Sequence, residues 1–158
     1  MKKFSVFLIA VVLIGAAGIL FFFYHLGSND AKALTDFPAA YGKFDQAISD
    51  FSTSVFASDL QSPAAAGNLE HRTDEALVEL NTAASARISS LTRNDGEIMK
   101  LTPEIADLSG KEFSALKAYQ SAAANRATDL DQLAKEYRDW TTQRRAAYAR
   151  FLALAELK

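Results

Sequence analysis

Arg144 is the residue whose type fits its position least. It falls on the apolar stripe of the C-terminal segment, between Trp140 and Phe151, with Tyr137 and Tyr148 nearby. A long cation placed there can snorkel: its stem packs while the guanidinium reaches water or a carboxylate on a neighbouring element. It can also head a recognition spot, because Trp, Tyr and Arg dominate binding energetics at protein surfaces. Tyr137, Trp140, Arg144, Arg145 and Tyr148 are therefore the candidate partner-binding residues.

Reactive chemistry is sparse elsewhere. The chain has no Cys, which excludes disulfides, thiolate metal sites and thiol nucleophiles. Of its two histidines, His25 follows a long apolar run, and His71 has Asp74 and Glu75 at i+3 and i+4. Such spacing could begin a His/carboxylate metal site, but no second cluster such as E-x-x-H supports it. Paired carboxylates need burial to act as acid and base, and the acidic residues mostly lie off the apolar stripes. No G-x-S-x-G, S-x-x-K or glycine-rich phosphate cradle occurs. No catalytic, cofactor-binding or metal-ligating residue is assigned, and a non-enzymatic protein is expected.

Charge narrows the partners further. A net charge of −2 and a pI near 5.7 argue against a nucleic-acid binder, which needs a clustered basic excess. The charge is unevenly spread: Asp36, Asp45, Asp50 and Asp59 oppose only Lys43, whereas the last 24 residues are basic. First and last helices that pack side by side would explain this. A basic, aromatic-flanked patch for an anionic partner is the sharper alternative.

The strongest compartment signal is Phe4–Tyr24, 21 residues without a charge, 18 of them apolar. At 1.5 Å per residue a helix of that length spans about 31 Å, close to a hydrocarbon core of about 30 Å. Lys2 and Lys3 precede it, which favours a cytoplasmic N-terminus. Residues 1–26 read as a signal-anchor that meets the lipid bilayer through residues 4–24, 27–35 as a polar linker, and 36–158 as an extracytoplasmic domain. Cleavage after Gly18 is the rival reading, but it would leave the apolar run ILFFFY at the new terminus.

Helical periodicity runs through the rest. Phe37, Tyr41, Phe44, Ile48, Phe51 and Val55 recur at alternating steps of four and three, an aromatic heptad seam started by Thr35-Asp36-Phe37-Pro38. Gln61 to Gly67 reads as a loop, and Asn68 as the cap of a second helix with a stripe through Leu77, Leu80, Ala84 and Ile88. Asn94-Asp95-Gly96, Thr102-Pro103-Glu104 and the capping-box spacing of Ser109 to Glu112 predict a broken corner over 95–110. From Lys111 onward there is neither Pro nor Gly. One helix of about 70 Å is expected there; a bend near Asn125–Asp129, giving a fourth helix, is the alternative.

The fold class expected is all-α: an N-terminal transmembrane helix plus an antiparallel three- or four-helix bundle with a long C-terminal helix. Such a chain in the inner membrane, its bulk periplasmic, is expected to act as an interaction or scaffolding protein of the cell envelope. A protein partner or a homo-oligomer is implied. The alternative is a ligand-sensing bundle that acts through a membrane partner.

Overall fold

The computed structural model describes residues 36–57, 63–88, 96–125 and 127–156. These residues form four helices and no strand: α1 over 36–56, α2 Pro63–Ile88, α3 Gly96–Ala124 and α4 Leu130–Glu156. The anchor segment 4–24, the linker 27–35 and the stop at Asn94–Asp95 lie outside the described residues. No helix among the described residues is long and apolar enough to cross a membrane.

Specific contacts fix the topology. Thr73 lies beside Ala47 and Glu79 beside Lys43, so α2 runs antiparallel to α1. Phe51 meets Phe113, and Phe56 meets Tyr119, so α3 runs parallel to α1. Phe151 packs on Phe37, and Tyr137 on Phe56, so α4 returns antiparallel to α1. The result is an up-down-up-down helical bundle.

The predicted α1 seam is its core. Phe37, Tyr41, Phe44, Ile48 and Phe51 are all buried, and Val55 packs against them. Across from these rings α2 offers mostly small groups: Thr73, Ala76, Leu80 and Ala84 are buried among its described side chains. Small side chains let the α2 backbone approach, and the α1 aromatics supply the volume. The acidic α1 and the basic α4 are indeed neighbours.

Three boundaries differ from the sequence expectation. Helix α2 begins at Pro63 and takes in residues 63–67 of the stretch read as a loop. Proline suits a first turn because its missing N–H is not needed there, and the alanines after it favour helix. Asn68 is then an exposed residue within α2 rather than its cap.

Over the described residues 96–110 the expected broken corner is replaced by continuous helix. Helix α3 runs without interruption from Gly96 through Pro103 and Gly110. Burial outweighs the local signals, since Ile98, Leu101, Ile105, Leu108, Phe113 and Leu116 all enter the core. Ser109 donates to the Ile105 carbonyl at 2.8 Å instead of capping, and Glu112 points inward.

The long C-terminal helix is likewise corrected: the chain breaks at 125–129, and α4 has 27 residues. The Asn125 side chain donates to the Ser121 carbonyl at 2.9 Å, and Ala127 N–H to the Ala122 carbonyl at 3.0 Å. That five-residue span is the bond pattern of a Schellman-type end. The Asp129 carbonyl then accepts from Gln132 and Leu133 at 3.1 and 3.2 Å, opening α4. Asn, Thr and Asp offer the backbone alternatives to helix, and reversing the chain lets the stripe of 137–151 bury against α1 and α3.

Candidate functional site

Arg144 lies inside the bundle, with its guanidinium on carboxylates of neighbouring helices. Arg144 and Glu112 are both 0% exposed. They occupy heptad positions, Glu112 seven residues after Ile105 and Arg144 seven after Tyr137 and seven before Phe151. Arg144 Nε donates to Glu112 Oε2, and Nη2 lies 2.6 Å from Asp45 Oδ1 on α1. Thr141 Oγ1 lies 2.7 Å from Glu112 Oε1 and 2.9 Å from the Tyr137 carbonyl, with one hydrogen to share between them.

The guanidinium lies over two rings of α1, 5.0 Å from the centroid of Tyr41 and 5.4 Å from that of Phe44. Its Nη1 has no hydrogen-bond partner among the described residues. A buried cation is tolerated only when neighbouring charge compensates lost hydration. Here burial works against the charged form, but the Glu112 and Asp45 carboxylates more than offset it and hold the Arg144 pKa above its ordinary value. Burial pushes the Tyr41 hydroxyl up to about 12, against the opposing pull of Arg144.

The other candidates divide. Tyr137 is buried, and that burial raises its pKa. Tyr148 stacks on Tyr41 with centroids 3.5 Å apart, half-buried, and its pKa is raised first by burial and then by Asp45. Trp140 turns to the other side, toward α3, where Lys111 Nζ stands 5.2 Å from its ring and Glu136 accepts from its Nε1 at 3.4 Å. Arg145 is exposed, 3.6 Å from Asp45. Tyr137, Arg144 and Tyr148 thus belong to the α1–α4 contact, while half-buried Trp140 packs against the core on the α3 side and Arg145 alone of the five stays exposed. His71 is exposed on α2 and pairs with Glu75 at 3.4 Å.

Sequence reading missed Glu112, Asp45, Tyr41 and Phe44 as partners of Arg144. Glu112 carried a findable signal: Ile98, Ile105 and Glu112 recur every seven residues, so the carboxylate sits on the apolar seam. Two opposite charges on two seams point to a buried pair.

Two grooves mark the outer surface. One runs along α3 between α2 and α4, with a volume of about 840 Å³. Its floor is Ala106, Gly110, Ser114 and Ala118; Leu77 and Asn81 stand on one side, Glu136 and Trp140 on the other. The second, about 520 Å³, lies between α1 and α2 over Gly42, Ala47 and Ala76, rimmed by charged side chains such as Arg72 and Glu75. Among the described residues no three His or carboxylate groups gather as metal ligands would. The site class defined here is a helical bundle with a buried ionic layer and open surface grooves. Compared with protein-family models, curated proteins and solved structures, the chain matches none.

Proposed function

We propose that this chain is a membrane-tethered interaction protein of the cell envelope. The apolar segment 4–24 anchors it in the inner membrane, with the N-terminus in the cytoplasm and the bundle in the periplasm. The observation that carries this reading is the uncharged run of 21 residues joined through a short polar linker to a helical bundle. An uncharged stretch of that length matches the bilayer core, and the lysines before it favour export of the chain on its C-terminal side. The bundle then serves as a docking body held near the membrane.

Interaction is favoured over small-molecule sensing by the shape of the surface. The larger groove is an open channel that follows α3 from Ala106 to Ala118, walled by mixed charged and apolar side chains, as a helix-sized partner requires.

Membrane fractionation with alkaline extraction, followed by protease digestion of intact spheroplasts, tests the proposal. The full-length chain should stay in the extracted membrane pellet and be cut only from the periplasmic side. Recovery of a soluble protein beginning at Ile19 or Leu34 would overturn it.

A further inference from the structure

We infer that the groove along α3 receives the outer face of α4 from a second copy of this chain, so that bundles associate head to tail. The inference rests on the interaction reading above and names its partner.

The groove has the form of a helix seat. Its floor residues, Ala106, Gly110, Ser114 and Ala118, succeed one another at steps of four, and that row extends about 18 Å at 1.5 Å per residue. Their small side chains leave the α3 backbone open to close approach. Gly110 sharpens the point. In a helix interior glycine costs about 0.5–1 kcal/mol relative to alanine, yet a Cβ at Gly110 would meet nothing within 4 Å. No internal packing of the bundle requires this glycine, and the free space lies on the groove side.

Charge selects the occupant. The two lysines of the groove are already matched, Lys111 by Asp107 at 2.7 Å and Lys117 by Glu70 at 2.8 Å. Asp74 and Glu136 line the same groove with no ion pair among the described residues. The groove therefore asks for a helix with a small-residue face and flanking cations.

The chain itself carries such a helix. On α4, Thr142, Ala146, Ala149 and Ala153 form a wholly exposed row at steps of four, three and four. Arg138 and Arg145 stand beside that row, both exposed, and Arg138 has no ion pair among the described residues. The row lies on a different face from the groove, whose α4 wall is Glu136 and Trp140, so donor and acceptor surfaces are distinct. Such a contact is heterologous and repeats from copy to copy. A seat of three helical turns is small, and confinement to a membrane raises the effective concentration that lets a small contact form.

The absence of cysteine makes the test clean. Differently tagged full-length chains carrying Ser114→Cys and Ala146→Cys, which face each other when α4 of one copy lies antiparallel on α3 of the next, are expressed together, and their membranes are oxidised with copper phenanthroline. Mixed-tag disulfide dimers are expected, and a ladder of higher species when one chain carries both substitutions. Gly110→Leu fills the seat with a better helix former, so the bundle keeps its thermal stability while the mixed adduct falls about tenfold. Absence of the 114–146 adduct, its persistence with Gly110→Leu, or adducts only between like positions would each overturn the inference. Alkaline extraction of the same membranes separates the two readings. A pelleted chain without the adduct refutes the α3 seat alone, and an extracted chain that still forms the adduct refutes the tether alone.

Discussion

Taking a guanidinium and a carboxylate out of water costs several kcal/mol per ion, and their attraction returns that only when geometry is good. At Arg144 the geometry is good on two sides, with Glu112 of α3 and Asp45 of α1, but Nη1 is left without a partner. The layer is therefore better understood as setting register than as adding stability. One cation on α4 has its partners on two other helices, and sliding α3 or α4 by a turn would strand a buried charge. Arg144→Ala, which leaves Glu112 buried and unpaired, should lower stability by about 3–5 kcal/mol. Arg144→Met combined with Glu112→Leu replaces both charges with apolar volume and should recover to within about 1 kcal/mol of the parent. Thermal denaturation of the full-length protein in detergent micelles reads both. A double variant as unstable as Arg144→Ala would show that the charges themselves hold the bundle together.

Helices were legible in the sequence where one rule acted alone. The aromatic seam of α1 has a strict heptad and no competing signal, and Phe37 through Phe51 are buried as its spacing requires. In α3 two kinds of rule conflict. Pro103, Gly110 and the Ser109-to-Glu112 spacing argue locally for a break, while Ile98, Ile105 and Leu116 argue for a continuous buried stripe, and the stripe prevails. At 125–129 the reverse holds: nothing in Ala-rich sequence demands a stop, but a straight helix would carry the 137–151 stripe past the core. The same competition hid the ionic layer. Arg144 stands out among aromatics, whereas Glu112 is masked by its resemblance to a capping residue. Proline in the interior of α3 removes one backbone bond, at a cost of up to about 3 kcal/mol. Pro103 is only half-buried, so little core packing depends on its ring. Pro103→Ala should raise stability by about 1–3 kcal/mol, part of the gain being offset by the freer unfolded chain. A melting temperature that falls instead would show that the ring packs in a way alanine cannot replace.

For the whole molecule, the ends of the helices decide how the bundle would stand on a bilayer. The start of α1 meets the end of α4 where Phe37 packs on Phe151 with ring centroids 5.1 Å apart, and Glu97 at the start of α3 pairs with Arg150. All three therefore share the end from which the linker leaves toward the proposed anchor. A nine-residue linker reaches at most about 30 Å even fully extended, and α4 extends about 40 Å along its axis. The corner at 125–129 is thus the farthest point from the tether, and an end-on bundle leaves the grooves, which run along the helices, open to neighbours in the same membrane. A single cysteine at Ala39 or at Thr128, each exposed, can carry a fluorophore in the full-length chain reconstituted into vesicles with headgroup-bound acceptors. Energy transfer should be strong from position 39 and weak from position 128. Equal transfer from both would mean that the bundle lies flat, with one of its long faces closed by lipid, and the head-to-tail arrangement would then lose the free sides it needs.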